Sequence, residues 1–340
     1  MLALNALYRM FVLVATGLGV GTASALVAIA FVDGVGLITQ GFAQLTLKNQ
    51  PGQMNALNVV ATIAIPAIGG VIVGVVMRYI SPTQKPHGPP DVIKAVQLKL
   101  PMPTPLASLV AALAAFLSLS FGASVGQYAP MVFIGGMIGG FVGLIPSTIP
   151  NFGMIAIACG TASAIAAAFS APIAGLIFAH EVILRHYSMQ AFAPVTVSAT
   201  CGYVISAILF ERPHLISVVP EETAHSWEFP IFALIGVAAS VVAYLFINGI
   251  FRTQNVFARI NIWHPAKTGL AGAVVGIVAI WLPEVTGVGQ ETLQISTAGG
   301  VYAPHHFALI LIGKLALTAL CLGAGFVGGV FSPSLVMGSA

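Results

Sequence analysis

Charge is scarce in this chain. Only 6% of its 340 residues are Asp, Glu, Lys or Arg, against 58% hydrophobic, and the mean hydropathy is +1.00. Soluble domains carry about 25% charged residues, so this composition excludes an ordinary water-soluble core. Twelve basic and nine acidic residues leave a net charge of +3. That is too little for a nucleic-acid-binding face, although a positively biased route suits an anion. Cysteine is equally scarce. Cys159, Cys201 and Cys321 lie in apolar context without metal-ligand spacing, which predicts inert buried thiols, no metal and no cofactor. In the run from His180 to His186 the second histidine falls two positions too late for a metalloprotease H-E-x-x-H, and the chain is read as a non-enzyme.

Glycine and proline, by contrast, are plentiful, with 37 and 21 copies. They form a repeated pattern: Gly126-Gln127-Tyr128-Ala129-Pro130 returns as Gly329-Val330-Phe331-Ser332-Pro333, and both copies continue to a glycine, Gly135 and Gly338. Proline tolerates the first helical turn, whose N–H groups lack internal partners. Each copy therefore reads as a helix start in apolar surroundings, with N–H groups and a positive dipole end turned to an anion. Two such half-helices approaching from opposite sides build the midplane site of inverted-repeat transporters.

The first apolar stretch, 10–32, is too long for a signal peptide core and predicts a retained spanning helix, followed by a less regular connection over 33–53. A second span runs over 56–76 and stops at Arg78. The polar stretch 81–99 contains Lys85-Pro86-His87-Gly88-Pro89-Pro90-Asp91, whose prolines forbid a continuous helix and leave a short one from Asp91 to Leu98. The uncharged run 100–180 divides at its glycines and prolines into 105–121, 130–144, 152–169 and a piece from Pro172 onward. Several pieces fall short of the roughly 20 residues of a straight span, which predicts broken or tilted helices. Further spans are expected at 189–210, 229–251, 268–283 and 306–326. The domain reading is a first membrane repeat over 1–210, a connection over 211–228 and a second repeat over 229–340. Only seven residues follow Pro333, so repeats of similar length imply that roughly seventy residues of the second are missing from it.

These motifs, in this order, resemble the CLC family of chloride channels and chloride/proton antiporters, from about Tyr8 through Ala340. The family's anion-binding Gly-Ser-Gly-Ile-Pro falls on Pro86-His87-Gly88-Pro89-Pro90. Its Gly-Arg/Lys-Glu-Gly-Pro falls on Gly126 to Pro130, and its Gly-x-Phe-x-Pro on Gly329 to Pro333. The run Ala168 to Gly175, followed by Phe178-Ala179-His180-Glu181, resembles the family's alanine-rich turn and acidic motif. Thr286-Gly287-Val288-Gly289 and Gly313-Lys314-Leu315 resemble landmarks of the second half.

Departures from the family pattern carry equal information. His87 replaces the anion-coordinating serine, and a neutral imidazole donates one N–H to an anion. Pro89 replaces a residue that has an N–H. Tyr128 stands where the resemblance places the external gating glutamate, and Val182 where transporters carry the internal proton-transfer glutamate. The resemblance implies an all-α, polytopic, inverted-repeat membrane protein with broken and tilted helices, in the cell membrane, forming a homodimer with one pathway per subunit. Its partners are then the lipid bilayer and chloride or another small anion, with no nucleic acid. His87, Gly88, Gly126, Gln127, Tyr128, Val330 and Phe331 are the expected pathway residues, with Tyr128 at the gate. Glu181 and Lys314 are electrostatic candidates at the vestibule. The expected function is passive anion conduction without obligatory proton coupling. A coupled antiporter using Glu181 or His180, and a scaffold that does not transport, are the alternatives.

Overall fold

Glycine and proline punctuation sets where the helices begin and end. The structure, a computed structural model, describes residues 2–46, 55–212, 225–298 and 303–340. Much of the expected 211–228 connection lies outside the described residues. In chain order the helices are α1 (Leu2–Ala43), α2 (Ala56–Val75), α3 (Pro89–Gln97), α4 (Pro105–Ser120), α5 (Tyr128–Gly143), α6 (Phe152–Phe169) and α7 (Pro172–Phe178). They continue with α8 (Met189–Tyr203), α9 (Phe229–Arg259), α10 (His264–Ala279), α11 (Gln290–Ala298), α12 (Pro304–Ala324) and α13 (Phe331–Ser339). Six described helices are long and apolar enough to cross a membrane, while α4, α5 and the stretch Pro172–Leu184 are apolar but shorter.

Several boundaries differ from the sequence expectation; α10, expected over 268–283, runs from His264 to Ala279, because Pro265 fits its first turn. The first span does not end at Asp33: α1 continues for 42 residues to Ala43. Arg212 donates to the Asp33 carboxylate, so the charge has a partner and the apolar pattern on either side carries the helix through. Likewise α9 passes Arg252 and ends only at Arg259, after 31 residues. The short helix expected from Asp91 begins at Pro89, since two prolines fit its first turn, where no N–H is needed. The expected helix starts at the repeated motif are found at Tyr128 and Phe331, with Pro130 and Pro333 each third in its helix. α12 is stopped by Gly325, whose φ of 110° is open to glycine at little cost.

The chain forms two compact units, the first comprising Met1–Leu37, Tyr79–Phe116 and Gln127–Leu215. Here α6 is buried along nearly its whole length, against α5, α7 and α8. Small residues permit the approach. A Cβ on Gly135 would strike the Gly160 carbonyl oxygen, and one on Gly160 would strike that of Gly135. Serine hydroxyls then bond helix to helix: Ser163 donates to Gly21 O at 2.6 Å, Ser198 to Cys159 O at 2.7 Å and Ser206 to Ala167 O at 2.7 Å. In an apolar medium such bonds contribute on average about 0.6 kcal/mol each, so small-residue packing carries most of the association.

The second unit comprises Ile38–Arg78, Leu117–Gly126 and Ile216–Ala340. In it α2 and α10 pack along their lengths, where a Cβ on Gly272 would strike Pro66 and one on Gly74 would meet Thr268 and Pro265. α9 lies on α12, with the Thr253 hydroxyl donating to Ala319 O at 2.7 Å. Most large apolar side chains of α9 are exposed, in keeping with a helix facing lipid or further protein.

Replacing Gly160 by valine is expected to lower the thermal midpoint of the detergent-purified protein, with a loss of about 2 kcal/mol from overpacking. Gly236→Ala, where the added Cβ meets open space, serves as the comparison and leaves the midpoint unchanged. Equal midpoints for all three proteins contradict the close-packing account.

Candidate functional site

In the second unit the two copies of the repeated motif meet at their glycines. Gly126 N–H donates to Gly329 O, and Gly329 N–H donates to Gly126 O, each at 2.7 Å. A reciprocal antiparallel pair of this kind has local two-fold symmetry, and its members are equivalent residues of the two copies. The absence of a side chain matters here, because a Cβ on Gly126 would lie 2.9 Å from Gly329 O and 3.1 Å from Ser332 N. Surrounding loops are fastened by hydrogen bonds within the unit. Val327 N–H donates to Ser118 Oγ at 3.1 Å, the Ser124 hydroxyl to Val285 O at 2.8 Å, and Gly287 N–H to Gly122 O at 3.1 Å. Val330 and Phe331, at the entry to α13, are exposed, whereas the next residue, Ser332, is buried and its hydroxyl has no hydrogen-bond partner.

Lys314 is fully buried on α12, and its ammonium donates to Val285 O at 3.2 Å and Gly287 O at 2.8 Å. Its charge therefore acts on the carbonyls of the Thr286-Gly287 turn, inside protein. A buried ammonium persists only when partnered in this way.

In the first unit, Gln127 and Tyr128 are both buried, and the Tyr128 ring lies 4.2 Å from that of Phe169. His87 and Gly88 form the approach to α3. His87 Nδ1 lies 3.0 Å from Asp91 Oδ2 and Nε2 lies 2.9 Å from the Thr83 hydroxyl, while Gly88 N–H donates to the same Asp91 oxygen at 3.1 Å. Both imidazole nitrogens and the Gly88 N–H are thus engaged by the chain's own side chains. With Nδ1–H donating to the carboxylate, Nε2 accepts from Thr83. Glu181 is exposed and accepts from the Tyr187 hydroxyl at 3.2 Å. Next to it, His180 is completely buried between the Tyr187 and Phe192 rings. Its Nδ1 lies 3.2 Å from His186 O, and its Nε2 has no partner. Val182 contributes its carbonyl to the Gln97 amide at 2.8 Å.

The structure thus brings together His87, Gly88 and Asp91 in one unit, and Gly126, Gly329 and the start of α13 in the other. Sequence reasoning missed Asp91 as the partner of His87, although an acid three residues after Gly88 has the spacing of a helix cap. It also missed Ser332, for which a serine near a helix start gives no distinguishing signal.

The family profile described as voltage gated chloride channel matches residues 69–340. The chain belongs to this family. It is 29% identical to a ClcB-like chloride channel protein of Ralstonia nicotianae, over 82% of this chain and 66% of that protein. It is 28% identical to the voltage-gated ClC-type chloride channel ClcB of Escherichia coli, over 81% of this chain and again 66% of the relative. The matches thus span a little under two thirds of these relatives' length. Among solved structures, the CLC chain resembles a slow cyanobacterial Cl−/H+ antiporter with a TM-score of 0.83 at 23% identity, covering 96% of this chain and 76% of that one. A CLC-type fluoride/proton antiporter gives 0.74 at 19% identity, covering 96% and 80%. These likenesses establish the all-α CLC fold, and with the apolar helices they make the chain an integral, multi-pass membrane protein.

Lys314→Met is expected to destabilise this CLC chain by about 3 kcal/mol, since two buried carbonyls lose a charged donor. Thermal unfolding of the purified protein reads the loss, and an unchanged midpoint would show that the ammonium is not needed to hold the turn.

Proposed function

We propose that this protein conducts chloride or another small anion passively across the membrane, without obligatory proton coupling. The observation that carries the reading is Tyr128. It opens α5 at the position where the family's transporters are expected to hold a gating glutamate, and its ring is buried against Phe169. A phenol has an ordinary pKa of about 10 and does not exchange protons readily near neutrality. Val182, the second such position, carries no titratable group at all. The E. coli relatives are described as chloride channels, which agrees with this reading.

His87, Gly88, Gly126, Gln127, Tyr128, Val330 and Phe331 are assigned to the pathway in this proposal, with Tyr128 as the gate. Glu181 and Lys314 shape its potential, the former from an exposed position and the latter through the carbonyls it holds. Residues 1–210 and 229–340 are taken as the two membrane repeats, joined by 211–228. A homodimer with one pathway per subunit in the cell membrane completes the proposal, with no cofactor and no enzymatic activity.

One observation favours a second reading. The His180 imidazole is buried with an unpartnered Nε2 close to Glu181 in sequence, and the structural neighbours at 23% and 19% identity are described as antiporters. An unconventional relay through His180 and Glu181 would make the protein an anion/proton exchanger.

Liposomes holding the intact protein separate the two. Under an asymmetric chloride gradient the reversal potential is expected to follow the chloride equilibrium potential. With voltage clamped by valinomycin and potassium, the chloride gradient is expected to drive no uphill proton movement. A reversal potential that tracks sodium or potassium overturns anion conduction, and uphill proton flux abolished by Glu181→Gln or His180→Phe establishes the exchanger instead.

A further inference from the structure

The hydroxyl of Ser332 poses a problem that the fold alone does not solve. Ser332 is the second residue of α13, is only 4% exposed, and its Oγ makes no hydrogen bond to any described group. Burying a hydroxyl without a partner costs about 1–3 kcal/mol, and such groups are normally satisfied by protein, water or ligand. The neighbouring serines show the usual solution. Ser334 donates to Val330 O at 2.9 Å, and Ser118 and Ser124 both engage backbone groups of this unit.

Its position narrows what the missing partner is. Cα–Cβ bonds tilt toward the N-terminus of a helix, so a side chain at the second position projects back over the helix start. The first N–H groups of a helix are not used by its own carbonyls, and the dipole there favours negative charge. A donor hydroxyl beside this end calls for an acceptor with negative charge. Space is kept for it on one side by Gly126, where a Cβ would come within 3.1 Å of Ser332 N. Val330 and Phe331, just before Ser332, are 44% and 50% exposed, so the helix start is not sealed. Serine has a single side-chain torsion, and one staggered rotamer change is enough to turn its hydroxyl to an arriving ion. The corresponding residue of the first copy, Ala129, has no hydroxyl, so this feature belongs to the second copy alone.

We infer that the Ser332 hydroxyl is a direct ligand of a small monovalent anion held at the start of α13, and that it biases the site toward strongly hydrogen-bonding halides. This deepens the proposed anion conduction and rests on that reading for its physiological meaning, but binding itself is testable without transport. A hydroxyl donor rewards chloride and bromide, which accept hydrogen bonds well, over the larger and weakly hydrated thiocyanate. The tetrahedral oxygen also gives the site a donor that its backbone cannot supply, since Pro333 has no N–H.

The test is bromide titration by isothermal calorimetry on the intact protein in detergent, with wild type, Ser332→Ala and Ser332→Thr compared. Wild type is expected to bind bromide, and Ser332→Ala to bind about tenfold more weakly, as for the loss of one hydrogen bond to a charged group. Ser332→Thr, which keeps the hydroxyl, is expected to stay within about twofold, and thiocyanate affinity is expected to change least. In halide-free buffer Ser332→Ala should melt at or above the wild-type temperature, because the hydroxyl has no protein partner to lose and its unpaired burial is relieved. Equal bromide affinity in wild type and Ser332→Ala, no bromide binding in wild type, or a halide-free melting loss in Ser332→Ala each overturns the inference. Bromide binding that depends on Ser332 without anion flux in liposomes supports the site and removes the transport reading. Flux with binding indifferent to Ser332 does the reverse.

Discussion

The reciprocal hydrogen bonds between Gly126 and Gly329 are the constraint on which the backbone around the candidate site depends. In an apolar protein every backbone N–H and C=O away from water needs a partner, and helices supply one everywhere except at their ends. Here the chain approaches two helix starts through non-helical backbone, and each copy of the motif satisfies the other's glycine. The close approach relies on Gly126 having no side chain, since a Cβ there would lie 2.9 Å from Gly329 O. Soon after each glycine a helix begins, α5 at Tyr128 and α13 at Phe331, and each carries its proline in a turn that needs no N–H there. The rest of the second unit keeps the glycine pair in place. Ser118, Ser124, Gly122 and Lys314 tie the loops around it to backbone groups, so the polar atoms of irregular segments are met by specific donors and acceptors.

A different economy governs the first unit. Its helices approach through glycine and alanine, and serines exchange hydrogen bonds with carbonyls of the next helix. At the start of α3, the carboxylate of Asp91 accepts from Gly88 N–H and lies against His87. The start of α3 is thus held by the chain's own acid. The contrast with α13 is instructive: one helix start has an internal negative partner, while the other carries a buried hydroxyl with none.

Much of this was legible in the residues. The spacing from Gly126 to Pro130 and from Gly329 to Pro333 placed both helix starts, because proline and glycine state local backbone requirements directly. The division of 100–180 into short helices was legible for the same reason. The extension of α1 beyond Asp33 was not, because the residue that makes it tolerable, Arg212, lies far along the chain. Nor could the sequence show what Lys314 does: an isolated lysine in an apolar helix indicates that a partner exists, but the partners are backbone carbonyls, which every residue has. His87 in the sequence alone is an available donor, and its engagement by Thr83 and Asp91 depends on how the 81–88 loop turns back on α3. The unmet hydroxyl of Ser332 is visible only once burial and hydrogen bonding are known together.

In the proposed pathway the backbone at the paired glycines is part of the route an anion takes. Chloride efflux from liposomes holding Gly126→Val tests it most directly, with incorporation and monodispersity matched to the wild type. The added side chain meets Gly329 O and the entry to α13, so efflux is expected to fall roughly tenfold or more, equivalent to about 1.4 kcal/mol. Efflux at the wild-type rate from a folded Gly126→Val protein would contradict it.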